Sequence, residues 1–239
     1  MNIVNFKTSL NHVERLLKAI GVLRQKGVKS INDDGVSEEF KRASLRSNYF
    51  AAYNIALEKF DYDYLLQDQS FFQFQFNPSS NLDGFPNIRY AFFQNPQEFR
   101  TYKDFLIESE LLEEDEAEIE IGDSFQDLYE QYLIEQQLNL KSCSIRFDVD
   151  FSNYRPLIHS VAHLHIGHSN DIRIPCDKLL TPEKFVLFVL KQTYYSQWRE
   201  LIENSNLTIL DCLDSSKDKC FPLEHGKWNE TEKKELFIT

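Results

Sequence analysis

Three short segments in the second half of the chain alternate apolar and polar residues with a period of two. The first runs from Cys143 to Phe151, and the other two cover residues 161–166 and 172–174. In a β-strand this period places alternate side chains on opposite faces. We therefore predict three consecutive antiparallel strands, each with one apolar face that packs against the core.

The same period occurs earlier in the chain. Phe72, Phe74 and Phe76 alternate with glutamines, and a second segment at 87–93 follows after a loop rich in turn residues. Two such segments joined by a short polar loop predict a β-hairpin. Together with the three later strands, the hairpin predicts an antiparallel sheet of about five strands.

Apolar residues spaced by three and four positions predict helices at 13–23 and 38–60. Thr181, followed by a proline and a glutamate, is a strong helix start, because it combines a hydroxyl N-cap, a first-turn proline and an acidic residue beside the helix dipole. The helix that follows is apolar around most of its circumference as far as Leu201. A short terminal strand is predicted at 207–210.

The predicted fold class is therefore α+β. An antiparallel sheet is covered on one face by the long C-terminal helix and by the N-terminal helices. With 239 residues and 42% hydrophobic content, the chain can bury a full core, and we predict a single domain over residues 1–239. Most of the acidic residues form one run near 108–121, which is predicted to be a solvated surface loop.

Charge and composition limit the classes of partner. The formal net charge of −12 disfavours nucleic acid as a partner, so binding to it would need a local basic patch that opposes the overall field. The amino terminus lacks the features of a secretory signal, and no run approaches the roughly 20 apolar residues of a membrane span. Four cysteines without a paired motif fit a reducing compartment. We expect a cytoplasmic protein that does not bind membranes.

Chemistry can concentrate in one place, because four of the six histidines lie between positions 159 and 168. If the three predicted strands pair in order, one polar face collects six candidate site residues. These are His163, His165, Asp148, Asp150, Arg146 and Arg173. His159 and His168 lie at the ends of the strand and are weaker candidates.

Two catalytic schemes use this face. In one, His163, His165 and Asp148 hold a divalent metal ion, the only cofactor that we consider. In the other, a histidine acts as general acid or base, Asp148 or Asp150 orients its ring, and Arg146 and Arg173 hold an anion. The competing interpretation is that these residues are simply the solvated side of an antiparallel sheet.

Part of the chain resembles a family of uncharacterised bacterial proteins known as domain of unknown function 2290. The resemblance rests on Pro156-Leu-Ile-His159, His163-Leu-His165-Ile-Gly167, Arg173-Ile-Pro175, Thr181-Pro182-Glu-Lys-Phe185-Val-Leu-Phe188, Tyr194-Tyr195 and Trp198. It covers the last half of the chain well and the first half loosely. It implies a prokaryotic cytoplasmic protein, and families of this kind often occur beside mobile-element or phage-defence genes. It implies no activity.

Two functional hypotheses follow. The first is a hydrolase that acts on phosphodiester or nucleotide substrates, nuclease-like or toxin-like, and uses the polar sheet face. The second is a non-catalytic partner subunit of a prokaryotic protein complex, which docks another protein through its acidic loop or an aromatic surface.

Overall fold

The computed structural model describes residues 1–28, 35–45, 48–78, 86–96, 102–111, 125–138, 143–168, 172–204, 207–223 and 226–238. The chain divides into two compact units. The first comprises residues 1–94 and 143–239, and the second comprises residues 95–142. The prediction of a single domain stays a prediction, and residues 112–121 of the predicted acidic loop lie outside the described residues.

The first unit is built on a seven-stranded antiparallel sheet whose strands pair in chain order. The strands are β1 (Leu23–Lys26), β2 (Tyr64–Leu66), β3 (Phe71–Asn77), β4 (Asn87–Phe93), β5 (Ser144–Val149), β6 (Ala162–Ile166) and β7 (Ile172–Cys176). This confirms the α+β class, but the expected number of about five strands was wrong. The additional strands β1 and β2 have only four and three residues, too few to show an alternating pattern.

A small second sheet and the helices complete the structure. The small sheet pairs β8 (Lys178–Leu179) with β9 (Phe221–Pro222). The α-helices are α1 (Ile3–Ala19), α2 (Glu38–Ser44), α3 (Tyr49–Glu58), α4 (Tyr102–Glu108), α5 (Gln126–Leu138), α6 (Pro182–Thr193), α7 (Tyr195–Glu203) and α8 (Leu207–Asp218), and a 3-10 helix covers Glu232–Lys234. Among the described residues, no helix combines the length and the apolar character needed to cross a membrane.

One face of the large sheet, called here the first face, forms an aromatic core. Phe72, Tyr90 and Phe147 are fully buried on it, and Phe185 of α6 packs edge-on against Phe72. Phe6 of α1 stacks on Tyr90 with ring centroids 6.1 Å apart. As predicted, α6 begins after Thr181, whose hydroxyl accepts a hydrogen bond from the Lys184 amide.

The opposite face, called here the second face, is covered at one end by α2 and α3. Phe71 and Phe93 lie on it, 4.9 Å apart, and contact Phe40 of α2 and Tyr49 and Tyr53 of α3. The expectation that the N-terminal helices share one face with α6 therefore needs correction. Only α1 lies there, because the apolar residues at this end of the second face require a cover of their own.

Three further local expectations were wrong. The helix predicted over 38–60 is two helices, α2 and α3, with residues 46 and 47 between them outside the described part of the chain. The long C-terminal helix is interrupted at Tyr194, where α6 ends and α7 begins. The segment 207–210 is the start of α8 rather than a strand, and its apolar residue Ile209 is buried in the core.

The second unit contains α4 and α5. Phe105 of α4 lies 5.5 Å from Tyr129 and 5.2 Å from Tyr132 of α5, measured between ring centroids. The Tyr102 hydroxyl accepts a hydrogen bond from the amide of Phe125, just before α5 begins. An aromatic cluster therefore holds these two helices together.

Candidate functional site

The strand register places the candidate residues in two neighbouring rows across the second face. In the first row, Arg89 of β4 lies opposite Asp148 of β5, which lies opposite His163 of β6. In the second row, Arg146 of β5 lies opposite His165 of β6, which lies opposite Arg173 of β7. The predicted order of the last three strands is thus confirmed. Since neighbouring strands are about 4.8 Å apart, side chains in one row can contact each other directly.

These rows form the wall of an open pocket of about 330 Å³. It is lined by Gln75, Asn77, Asn87, Ile88, Arg89, Arg146, Asp148, Val149, Asp150, His159, His163, His165 and Arg173. The lining has three arginines against two aspartates, so it carries a positive formal charge in a chain whose net charge is −12. This local excess of one positive charge favours a ligand that carries a phosphate.

Asp148 is the centre of the charged network. Its carboxylate accepts a hydrogen bond from Arg146 Nε at 2.7 Å and one from Arg89 Nε at 3.2 Å. His165 Nε2 lies 3.4 Å from the same carboxylate. Burial by itself raises the pKa of Asp148, but the hydrogen bond with His165 and the charges of Arg146 and Arg89 outweigh burial and hold this pKa well below its usual value. Asp148 is therefore ionised and fixes two guanidinium groups.

His163 is buried and neutral. Only 2% of the residue is exposed, and its Nδ1 lies 2.9 Å from the Ser160 carbonyl oxygen. Burial lowers the pKa of His163 to about 4, although the hydrogen bond to Ser160 opposes this shift. Because a carbonyl oxygen only accepts hydrogen bonds, Nδ1 carries the proton and the lone pair of the ring lies on Nε2.

Two more imidazoles adjoin His163. The His165 ring lies 4.8 Å away and the His159 ring 5.0 Å away, both nearly perpendicular to the His163 ring. The Nδ1 atoms of His159 and His165 are buried without a hydrogen-bond partner. Buried polar atoms are normally paired, so two unpaired ring nitrogens beside one pocket are unusual.

The remaining predicted residues occupy different positions. Asp150 lines the pocket, but its carboxylate accepts hydrogen bonds from Ser152 and Asn153 and so caps its own turn. Burial raises the pKa of Asp150, yet these hydrogen bonds lower it overall. Arg173 is exposed at the edge of the pocket. His168 lies elsewhere, with its ring 5.5 Å from that of Tyr49.

The arrangement offers two kinds of chemistry. One atom from each of Asp148, His163 and His165 lies within 4.8 Å of the other two, a grouping that could hold a metal ion. Arg89 and Arg146 use their Nε atoms for Asp148, and guanidinium groups also carry terminal amino groups that suit a phosphate. The same pocket can therefore bind an anion beside two imidazoles.

Sequence reasoning missed Arg89 and gave too little weight to His159. Arg89 alternates with Ile88 and Tyr90 in the predicted return strand, so its face could have been assigned. Its place beside Asp148 depends on the pairing of β4 with β5, two strands separated by 50 residues of chain. His159 enters the pocket from the turn before β6, where Arg155 and His159 form an isolated bridge.

Comparison with known proteins identifies one family. The sequence profile of a family described as uncharacterized conserved protein (DUF2290) matches residues 20–228, and so covers both the sheet and the pocket. No curated protein and no solved structure shows significant similarity to the chain.

Proposed function

Because this chain belongs to the family of uncharacterized conserved proteins DUF2290, whose description assigns no activity, we infer its function from the pocket and propose a hydrolase of phosphodiester or nucleotide substrates. The observation that carries this proposal is the pairing of two chemistries in one pocket. Two guanidinium groups are fixed by Asp148, and a neutral imidazole with an unprotonated nitrogen lies in the next strand. The first group suits a phosphate, and the second suits a general base.

The arginines bind the substrate. Hydrogen bonds from the Nε atoms of Arg146 and Arg89 to Asp148 orient the two guanidinium groups. Their terminal amino groups contact two oxygens of the phosphodiester. Arg173 adds a third positive charge from the far edge. In a site with part of the solvent excluded, this charge also stabilises the negative charge that develops on the phosphoryl oxygens in the transition state.

The histidines transfer protons. His163 Nε2 takes a proton from water, whose oxygen forms a bond to phosphorus while the ester P–O bond breaks. In this scheme His165 begins doubly protonated and donates the proton of Nδ1 to the departing ester oxygen, while Asp148 accepts a hydrogen bond from Nε2 and orients the ring. One proton enters the pair and one leaves it, so the reaction balances as hydrolysis to an alcohol and a phosphate monoester. General acid–base catalysis of this kind contributes roughly 10²–10⁴-fold.

A metal-assisted version of the same activity is the second candidate. It is favoured by the grouping of Asp148, His163 and His165 and by the bond from His163 Nδ1 to a backbone carbonyl, a common support for metal-binding histidines. The two guanidinium groups on Asp148 weigh against it, because they already neutralise the only carboxylate of the group. The metal-free scheme therefore fits the charges better.

The test is hydrolysis of bis(p-nitrophenyl) phosphate by wild type, His163→Gln, Arg146→Gln and the control Arg199→Gln, whose side chain lies outside the pocket and pairs with Glu203. We expect kcat to fall about 100-fold in His163→Gln. KM should rise in Arg146→Gln, and Arg199→Gln should resemble wild type. Circular dichroism spectra verify that each variant is folded.

Each assay is run with EDTA and again with added Mn²⁺, Mg²⁺ or Zn²⁺. Activity that persists in EDTA supports the metal-free scheme, whereas activity that needs a metal supports the second candidate. Equal rates in wild type and His163→Gln would overturn the hydrolase. The non-catalytic partner subunit would then be the better proposal. A hydrolase of nucleic acid or nucleotides is consistent with the phage-defence setting that the family resemblance implies.

A further inference from the structure

The pocket is long in one direction. Its lining comes from five consecutive strands, starting with Gln75 on β3 and ending with Arg173 on β7. Four strand spacings separate these two strands, which corresponds to roughly 19 Å across the sheet. The pocket is therefore better described as a groove that crosses the strands.

The chemistry changes along this groove. At the β3–β4 end, Gln75, Asn77 and Asn87 contribute amide side chains. The arginine pair on Asp148 and the histidines occupy the middle, and Arg173 lies at the β7 end. Amide side chains can hydrogen-bond to the edges of bases, and arginines bind phosphates. One phosphodiester with its catalytic groups needs only the middle of the groove.

We propose that the substrate is a single nucleic-acid strand that lies across the sheet. This inference rests on the proposed function and specifies its substrate class. The phosphodiester to be cleaved lies between the arginine pair and His163, the neighbouring phosphate contacts Arg173, and a base on the other side contacts the amides of β3 and β4. With a spacing of about 3.4 Å or more between phosphates, the groove accommodates roughly three to five nucleotides.

The charge distribution favours a single strand over a duplex. A duplex carries one negative charge per roughly 1.7 Å of its axis, about twice the density of one strand. The lining of the groove has three arginines and two aspartates, a formal excess of one positive charge. This small positive charge can balance the few phosphates of one strand that lie along the groove, but it offers little to balance the second strand of a duplex.

The experiment measures binding of 5′-fluorescein oligonucleotides with phosphorothioate linkages, which slow hydrolysis, by fluorescence anisotropy. Lengths of one, two, four and eight nucleotides are compared as DNA, RNA and an eight-base-pair DNA duplex, between 50 and 200 mM NaCl. The proteins are wild type, Arg173→Gln and the control Arg199→Gln, all as full chains with EDTA present.

We expect Kd to fall at least tenfold from one to four nucleotides and to change little from four to eight. Arg173→Gln should weaken binding of the four-nucleotide strand about tenfold and reduce the slope of log K against log salt by about 0.7, the value for one lost phosphate contact on a single strand. Its effect on the mononucleotide should be less than twofold. Arg199→Gln should match wild type at every length.

Three results would overturn the strand inference. These are a Kd that does not depend on length, an equal effect of Arg173→Gln on one and four nucleotides, and tighter binding of the duplex. If His163-dependent hydrolysis of bis(p-nitrophenyl) phosphate is found alongside any of them, the hydrolase stands and the strand substrate fails. Length-dependent binding without such hydrolysis would support the strand as ligand and overturn the hydrolase.

Discussion

The second face of the sheet is closed at one end and open at the other, although the same strands run through both. At the closed end, Phe71 and Phe93 lie beneath α2 and α3. Further along β4 and β5, Arg89 and Asp148 line an open groove. The two-residue period is the same at both ends. What differs is the residue type, which decides whether a helix must cover the sheet or whether a site can remain accessible.

The two ends also bury different groups. At the closed end, burial removes apolar rings from water and stabilises the fold directly. At the open end, His163 is only 2% exposed, and burial favours its neutral form at a cost in stability below neutral pH. The closed end should therefore respond to loss of volume, and the open end to changes of charge and pH.

The largest effect is expected at the closed end. Phe93→Ala should lower the free energy of unfolding by about 3–5 kcal/mol, because Phe93 stacks on both Phe71 and Tyr49 and its loss leaves a cavity. Urea unfolding measures the change. The control is Phe60→Ala, since that ring is 54% exposed and should cost less than 1 kcal/mol. Equal losses in the two variants would contradict the assignment of this end to the core.

The next effect concerns pH at the open end. The pKa of His163 is about 4 in the folded protein, below its ordinary value of 6.5 in the unfolded chain. Between pH 6.5 and pH 4, the unfolded chain therefore binds a proton at His163 that the folded protein does not bind. Stability from the neutral ring is therefore present above about pH 6.5 and is lost as the pH falls towards 4, by about 3 kcal/mol.

The measurement is urea unfolding of wild type and His163→Gln at pH 7.5, 5.5 and 4.5. Relative to wild type, the variant should gain stability as the pH falls, because glutamine does not titrate. A difference between the two proteins that stays constant over this pH range would mean that His163 is not buried in its neutral form.

A smaller loss is expected for Asp148→Asn. This change leaves Arg146, and in part the more exposed Arg89, without a counter-charge, and should cost about 2 kcal/mol at pH 7. The pKa of Asp148 is lowered in the folded protein, so the ionised carboxylate stabilises the fold at pH values above the ordinary pKa of an aspartate. This stabilisation decreases as the pH falls below that ordinary pKa. Unfolding at pH 7 and pH 3 should therefore show a smaller difference from wild type at the lower pH.

The smallest effect is expected for Asp150→Ala. Asp150 caps a local turn, so its loss should cost about 1 kcal/mol and lower phosphodiester hydrolysis less than tenfold. Steady-state assays beside His163→Gln measure the contrast. A loss of activity as large as that in His163→Gln would mean that Asp150 orients a catalytic histidine, and that the capping role is incidental.

The sequence predicted the open end better than the closed end. The alternation around Asp148 and around His163 and His165 predicted three paired strands and the sheet face that these candidate residues share, because a period of two assigns alternate residues to one face. Phe71 and Phe93 gave no comparable signal. Their strands are apolar on both faces at this end, so periodicity alone could not show which helices cover which face.

The parts that could not be predicted depend on contacts between distant segments. Arg89 reaches Asp148 only through the register of β4 and β5, and β1 and β2 are too short to show a period. The helix is interrupted at Tyr194, although the apolar residues on both sides of Tyr194 keep the spacing of one continuous helix. The Tyr194 hydroxyl donates a hydrogen bond to Asp68, which is 126 residues away in the sequence. A contact over this distance cannot be predicted from local helix propensity.

The most direct test of the account asks whether the open end binds phosphate through its histidines and arginines. The measurement is an NMR titration of histidine-labelled protein with inorganic phosphate, at ionic strength held constant with sodium chloride. The six histidines include His12 and His168 outside the groove as internal controls. We predict saturable shifts for the ring nitrogens of His163 and His165, abolished in Arg146→Gln, with none for the controls. Shifts that are absent, equal in all histidines or unchanged in Arg146→Gln would contradict a phosphate site on this face.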